Sequence, residues 1–211
     1  MLESISTESL RTDTFRFANQ KQYADHFRVQ GFNDESVREI LSLLASRSIS
    51  DNPEELCDGP FRPTQLQKNK LRTRFSDGSF SVFYSSLDPE TAEAEVRYWF
   101  QKYAGKPTTS RTAYYSRFSC RFDGSIKDLR PMHADWPDLT HGSDYGFCNG
   151  LGTEAVDSDL DGLLTPSARR PNGTNLPVFR RRAVSNPIVQ GLVAMTLNPS
   201  SGEVAISERD V

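Results

Sequence analysis

Three side chains with chemical potential stand close together in the sequence: Arg74, Tyr84 and Glu95. An arginine fork binds phosphates and carboxylates through two hydrogen bonds, and a tyrosine ring can stack on a planar heterocycle. A carboxylate that is partly removed from water on a rigid element suits a catalytic or substrate-holding group. Each residue also has an ordinary alternative, namely an exposed arginine before a turn, a core tyrosine at a strand end and a glutamate that reaches into water. The residue types alone leave both interpretations open.

A helix predicted over residues 89–103 determines how Glu95 is presented. Helical periodicity places an apolar stripe on its buried face. The stripe consists of Ala92, Val96, Trp99 and Tyr103. Glu95 falls on one border of the stripe, whereas Glu93 lies toward the other flank and can pair with Arg97 one turn later. The helix therefore separates a candidate functional carboxylate from a surface carboxylate.

The elements around this helix indicate an α+β fold. Asp88 suits the N-cap, Pro89 the first helical position and Glu90 the first turn. Alternating residues predict strands, and a turn-rich segment predicts a terminal hairpin. These segments are a strand at 79–85 with Phe80, Val82 and Tyr84 on one face, strands at 113–122 and 188–197, and the hairpin at 198–207. Strands and helices mix without βαβ regularity, which favours α+β over α/β.

The N-terminal quarter is expected to differ from the rest. Residues 1–55 are predicted to form a small helical extension, and residues 56–211 the main domain. Asn33 or Asp34 can cap a helix whose apolar residues recur one turn apart. They are Val37, Ile40, Leu41 and Leu44. Residues 46–63 are predicted to be a loop. Whether the extension packs on the main domain or serves as a partner-binding arm stays open.

Composition excludes several classes of protein. The chain is 36% hydrophobic and 25% charged with a formal net charge of −3, so no global positive field recruits nucleic acid or an anionic membrane. The first ten residues contain two acidic side chains and no apolar run, and nowhere do about 18 apolar residues follow one another. We therefore expect a soluble cytoplasmic protein.

No metal site is expected. Asp157, Asp159 and Asp161 imitate the start of a calcium loop, but the twelfth position, which needs a bidentate glutamate, is Ala168. The three cysteines and three histidines are not at ligand spacing, which favours free thiols in a reducing compartment. A catalytic cysteine–histidine pair stays possible, since its members meet only in the fold, although no local signature supports one.

Several stretches resemble the RES-domain family. They are Arg74 to Gly78, Val82-Phe83-Tyr84-Ser85-Ser86, and Glu90 to Val96, which reads E-x-A-x-x-E-V. A later segment, Asp161 to Leu176, carries the run P-S-A-R and then G-x-N. The resemblance covers roughly residues 60–182, and it depends on the spacing of Arg74, Tyr84 and Glu95 and on the P-S-A-R run.

The resemblance implies a mixed-sheet core like that of ADP-ribosyltransferase toxins, and NAD⁺ as substrate rather than as bound cofactor. By position, Arg74 would hold a pyrophosphate or ribose oxygen, Tyr84 would stack on nicotinamide, and Glu95 would act at the nicotinamide ribose. Ser167 would position that ribose, and Arg62 would be a further binding arginine. Cleavage of the nicotinamide–ribose bond develops oxocarbenium character, which a nearby carboxylate stabilises. Nicotinamide is a good leaving group, so neither a general acid nor a metal is required.

Three functions fit this resemblance: a toxin that degrades NAD⁺ by hydrolysis or phosphorolysis, a mono-ADP-ribosyltransferase that modifies a specific protein, and a dinucleotide-binding module without turnover. Glu95 argues against the third, because binding an anion needs no adjacent carboxylate. The acceptor, which could be water, phosphate or a protein, stays open. So does the setting, either a toxin–antitoxin pair or an effector injected into a competitor.

Five arginines lie within fourteen residues of this acidic chain, at 169–170 and 180–182. They indicate either a solvated basic face or a surface that attracts the anionic dinucleotide or an acidic neutralising protein. An enzyme that consumes NAD⁺ would poison its producer, so a cognate antitoxin or immunity protein is the expected partner. A homo-oligomer stays possible.

Overall fold

A computed structural model describes residues 1–19, 31–33, 35–37, 39–40, 53–62, 72–105 and 107–209. The described part contains seven strands in one mixed sheet and three α-helices with described bounds, in addition to helical residues at 35–37 and 39–40. The strands are β1 (Glu8–Asn19), β2 (Phe83–Ser86), β3 (Arg111–Asp128), β4 (Gly162–Pro166), β5 (Thr174–Val178), β6 (Val184–Leu197) and β7 (Val204–Arg209). The helices are α1 (Glu55–Asp58), α2 (Pro89–Ala104) and α3 (Gly146–Asp157). The α+β prediction is confirmed.

The sheet is built around β3, its longest strand. The strand order is β1-β2-β5-β4-β3-β6-β7, and β1 pairs with β3 as well as with β2, so five of the strands form a closed ring. The β3–β4 pair is parallel and the other pairs are antiparallel. Closure places the N-terminal strand between β2 and β3.

The helical prediction for the N-terminal extension is wrong for residues 8–19. These residues form β1, which pairs with β3 from Glu8↔Ile126 to Asn19↔Tyr115 and so belongs to the same sheet as the main domain. These residues alternate as a strand does: Thr14 is fully buried on one face, while Phe15 and Phe17 face a cavity on the other.

Farther along the N-terminal quarter, the predicted cap is present. Asn33 Oδ1 accepts a hydrogen bond from the Ser36 backbone at 2.8 Å, and residues 35–37 and 39–40 are helical. Leu41 and Leu44, as well as Asp34, lie outside the described residues. Of the loop predicted over residues 46–63, only residues 53–62 are described, and they contain α1 and a 3₁₀ turn at Gly59–Phe61.

The later strands match their predictions and extend beyond them. The segments predicted at 113–122 and 188–197 lie within β3 and β6, and the predicted hairpin joins β6 to β7. The strand expected from residue 79 begins at Phe83, although Phe80, Val82 and Tyr84 do pack on one core cluster.

Helix α2 begins as predicted, and its buried face differs from the prediction toward its C-terminal end. Asp88 accepts a hydrogen bond from the Thr91 backbone at 2.8 Å, which satisfies one of the free amides of the first turn. Ala92 and Phe100 are buried against the sheet. The prediction that Tyr103 is buried is wrong, because its side chain is 77% exposed. The helix rests on β1, β2, β5 and β6, and this packing turns the edge with Trp99 and Tyr103 toward a cavity.

The sheet carries apolar clusters that hold the ring together. The central cluster includes Phe83, Phe118 and Phe122, each fully buried. A second cluster packs α3 against β4 through Leu151 and Leu163. No helix among the described residues is long and apolar enough to cross a membrane.

Candidate active site

A cavity of about 300 Å³ lies between α2, β1, β2 and β5. Two kinds of side chain dominate its wall. The cationic residues are Arg16, Arg72, Arg74 and Arg169, and the aromatic residues are Phe15, Phe17, Phe75, Tyr84, Trp99 and Tyr103. Glu95 supplies a carboxylate to this wall, whose other charged side chains are the arginines. The cavity is therefore suited to an anionic ligand with planar rings.

Glu95 is held in place by two hydrogen bonds from outside its helix. Its Oε1 accepts from Ser167 Oγ at 2.8 Å and from Asn175 Nδ2 at 2.6 Å. Ser167 follows β4, and its Oγ in turn accepts from the Arg169 and Arg170 backbones at 3.1 and 3.2 Å. The structure thus brings two predicted residues, Glu95 and Ser167, into direct contact, with Glu95 lining the cavity and Ser167 behind it.

Asn175 is a site residue to which sequence reasoning assigned no role. Its Oδ1 accepts from Ser86 Oγ at 2.8 Å, and this bond directs the amide nitrogen toward Glu95. It lies on β5, paired with Ser86 of β2 on one side and with Thr165 of β4 on the other. The signal was its place in the G-x-N segment after the P-S-A-R run.

Glu93 has the surface position that helical periodicity predicts. It forms an ion pair with Arg97 one turn later, with 2.8 Å between Oε1 and Nη2, and it does not line the cavity. Glu93 and Glu95, two positions apart on α2, therefore have different surroundings.

Arg74 presents part of its guanidinium without a partner. Its Nη1 donates to the Leu139 carbonyl at 3.1 Å, and the group lies 4.8 Å from the ring centroid of Tyr145. Its Nη2 is buried and has no hydrogen-bond partner among the described residues. Asn149 of α3 fixes the turn that carries Arg74 by donating to the carbonyls of Thr73 and Arg74 at 2.7 and 2.9 Å. An unpartnered buried donor is costly, so an acceptor on a ligand would stabilise it.

Tyr84 supports the same turn. Its hydroxyl accepts from the Phe75 backbone at 2.9 Å and lies 2.6 Å from Thr73 Oγ1. Burial raises the pKa of Tyr84 to about 12, so the phenol stays neutral at physiological pH. Its ring also lines the cavity. Stacking on nicotinamide stays a prediction.

Arg16 borders the cavity from β1, within the segment expected to be a helical extension. Its Nη1 donates to the Tyr84 carbonyl, and its guanidinium lies 4.7 Å from the ring centroid of Phe83. Burial lowers the pKa of Arg16 to about 10, which leaves it charged at neutral pH. No carboxylate of the described residues is paired with it. Arg16 therefore borders the cavity while its guanidinium lies over Phe83 of the central cluster, on the strand face opposite Phe15 and Phe17.

Arg62 stands apart from this group. It is half exposed and forms an ion pair with Glu55 at 2.7 Å, and it is not among the residues that line the cavity. Its role in binding stays a prediction.

The arginine-rich stretch is mostly neutralised within the protein. The ion pairs are Arg170–Asp88, Arg180–Asp159, Arg181–Glu54 and Arg182–Asp161, at 2.7, 3.1, 2.6 and 3.0 Å. Arg169 is the member of the stretch that lines the cavity, with its guanidinium 3.4 Å from the ring centroid of Tyr98 and its Nε without a hydrogen-bond partner among the described residues.

The alternative chemistries have little support in the described residues. They contain no group of three histidine, cysteine, aspartate or glutamate side chains placed to hold a metal. Asp161, from the calcium-like motif, accepts from the Ser125 backbone and hydroxyl at 2.9 Å and pairs with Arg182. Cys148 is buried, and burial raises the pKa of its thiol, so it is a neutral group rather than a thiolate nucleophile.

Comparison with known proteins assigns the chain to a family. A search of curated proteins finds no match to this chain. The family model of the RES domain matches residues 22–198, which includes Arg74, Tyr84, Glu95 and Ser167. The chain therefore belongs to the RES domain family, whose members are associated with toxins and with NAD.

Proposed function

We propose that this protein degrades NAD⁺ by cleaving the bond between nicotinamide and ribose, as a glycohydrolase or a phosphorylase. The observation that carries the proposal is the environment of Glu95: one carboxylate, fixed by Ser167 and Asn175, in a cavity lined by four arginines.

The arginines suit the substrate. A dinucleotide carries its negative charge on the pyrophosphate, and guanidinium groups bind phosphate oxygens through paired hydrogen bonds. Arg74 Nη2 and Arg169 Nε are buried without partners among the described residues. Turning these side chains toward a phosphate in the cavity would satisfy the donors and offset part of the cost of desolvating them.

The carboxylate suits the transition state rather than the bound substrate. When the glycosidic bond breaks, its electron pair goes to the ring nitrogen of nicotinamide, which leaves as a neutral molecule, and positive charge develops on the ribose. A negative charge held close to that ribose stabilises the developing cation. Water then adds to the ribosyl carbon and releases a proton to give ADP-ribose, or phosphate adds to give ADP-ribose 1″-phosphate.

The molecule that accepts the ADP-ribosyl group distinguishes NAD⁺ degradation from mono-ADP-ribosyltransfer. Purified protein is incubated with NAD⁺ alone, with and without inorganic phosphate, and the products are identified by chromatography and mass spectrometry. We expect free nicotinamide together with ADP-ribose or its phosphate. Release of nicotinamide only when an acceptor protein is added, with that protein gaining one ADP-ribosyl group, would replace this proposal by mono-ADP-ribosyltransfer.

A further inference from the structure

Two aromatic rings follow Glu95 along α2 at the same cavity. Trp99 and Tyr103 lie one and two turns after it, about 6 and 12 Å along the helix axis at 1.5 Å per residue. Their ring centroids are 5.4 Å apart with an interplanar angle of 23°, so the two rings are stacked. Tyr103 is nevertheless 77% exposed. The stack therefore ends in a ring that solvent reaches.

Trp99 is braced on its other sides. Tyr98 and Tyr145 meet it edge to face, at 5.3 and 6.4 Å between centroids, and Lys102 Nζ lies 4.8 Å from its centroid. The tryptophan thus holds Tyr103 in place as a platform for another planar group. Aromatic rings of this kind bind nucleobases, because every base presents a π-face.

The position of this platform selects which base it would bind. The proposed function places the nicotinamide ribose at Glu95, so nicotinamide itself lies one bond from that ribose. The other base of the dinucleotide is separated from this point by the pyrophosphate, and Tyr103 lies about 12 Å along the axis from Glu95. Arg169 also lines the cavity, and its guanidinium can engage the phosphates between the two ends.

We propose that the adenine ring of the dinucleotide stacks on Tyr103, with Trp99 as its support, so that this pair makes the enzyme prefer NAD⁺ to substrates without the adenosine half. This inference rests on the proposed function, since it takes Glu95 as the marker of the reacting bond.

The first test compares two substrates. Tyr103→Ala, Tyr103→Leu and Tyr103→Phe are assayed for nicotinamide release from NAD⁺ and from nicotinamide mononucleotide, which lacks the adenosine half. We expect Tyr103→Ala and Tyr103→Leu to lower kcat/KM for NAD⁺ about tenfold, the equivalent of about 1.4 kcal/mol, and to leave the mononucleotide unchanged. Tyr103→Phe keeps the ring and should keep the wild-type preference. Equal losses on both substrates, or no loss on NAD⁺, would overturn the inference.

The second test does not depend on turnover. The chain has two tryptophans, Trp99 and Trp136. In a Trp136→Phe background, AMP should quench the fluorescence of Trp99, ribose 5-phosphate should not, and Tyr103→Ala should weaken the response to AMP. An AMP titration without quenching would contradict adenine binding at this platform. If the wild-type protein released no nicotinamide, the proposed function would fail, and the AMP titration would still decide the platform.

Discussion

Asn175→Ala is the perturbation that tests most finely how Glu95 is held. Asn175 supplies the shorter of the two hydrogen bonds to Glu95 Oε1, 2.6 Å against 2.8 Å for Ser167, and its own orientation depends on Ser86. The substitution removes this donor and leaves Ser167 in place. A hydrogen bond to a charged group contributes about 1.5–3 kcal/mol. If that energy acts in the transition state, kcat falls about 10- to 100-fold, at about 1.4 kcal/mol per tenfold.

Two further variants separate positioning from a general loss of structure. Ser86→Ala removes the hydrogen bond that orients the Asn175 amide but leaves the amide nitrogen that donates to Glu95. We therefore expect kcat to fall by less than in Asn175→Ala. Asn175→Asp puts a second carboxylate beside Glu95 at neutral pH, and like charges disfavour that arrangement. At low pH the introduced carboxyl group is protonated and can donate to Glu95 as the asparagine amide does, so the activity of this variant relative to wild type should recover as pH falls.

The assay is a pH series of nicotinamide release that yields kcat and KM for each variant. Folding is checked by thermal unfolding. We expect the loss in kcat with little change in KM, because Asn175 acts through Glu95 rather than on the bound pyrophosphate. A folded Asn175→Ala protein with wild-type kcat would refute the role of this hydrogen bond.

Three other perturbations test separate parts of the account. Arg74→Ala should raise KM for NAD⁺ severely and Arg74→Lys should restore part of the affinity, since lysine cannot reproduce the guanidinium fork; full rescue by lysine would show that diffuse charge suffices. A metal chelator should leave the rate of nicotinamide release unchanged, and activity lost to the chelator and restored by added zinc or magnesium would overturn a metal-free mechanism. Asp88→Ala should lower the free energy of unfolding by about 0.5–2 kcal/mol at pH 7 through loss of the helix cap. Burial acts to raise the pKa of Asp88, but hydrogen bonds from Thr91 and the charge of Arg170 outweigh it and lower that pKa. The stabilisation by charged Asp88 is therefore fully present above the pKa of an unfolded aspartate and is lost as the pH falls through the lowered pKa of the folded protein. The free energies of unfolding of wild type and variant, measured with denaturant, should therefore converge in acid.

Local patterns predicted the helix that carries the catalytic candidate. The cap at Asp88 follows from the residue types at the start of the helix, and the different surroundings of Glu95 and Glu93 follow from helical periodicity; the structure has both. The prediction that Tyr103 is buried is wrong because helical periodicity cannot distinguish an apolar edge that packs on a sheet from one that lines a cavity. In this helix, Trp99 and Tyr103 lie on an edge that lines a cavity.

Contacts distant in sequence could not be predicted in this way. Ser167 and Asn175 reach Glu95 across 72 and 80 residues, and β1 contributes Arg16 by pairing with β3 about a hundred residues later. Such contacts depend on strand order, which alternation within a strand does not encode. The family resemblance identified Ser167, whereas Asn175 and Arg16 emerged from the closed ring of strands.

The central claim is that the charge of Glu95 drives cleavage of the nicotinamide bond. The most direct measurement is the rate of nicotinamide release at saturating NAD⁺ for wild type, Glu95→Gln and Glu93→Gln, where each variant differs from wild type by one charge. Opposite charges about 4 Å apart at an effective dielectric constant of about 20 attract by about 4 kcal/mol, so Glu95→Gln should be slower by about a thousandfold. Glu93→Gln, which loses a surface ion pair, should stay close to wild type. Equal rates for the two variants would contradict the assignment of Glu95.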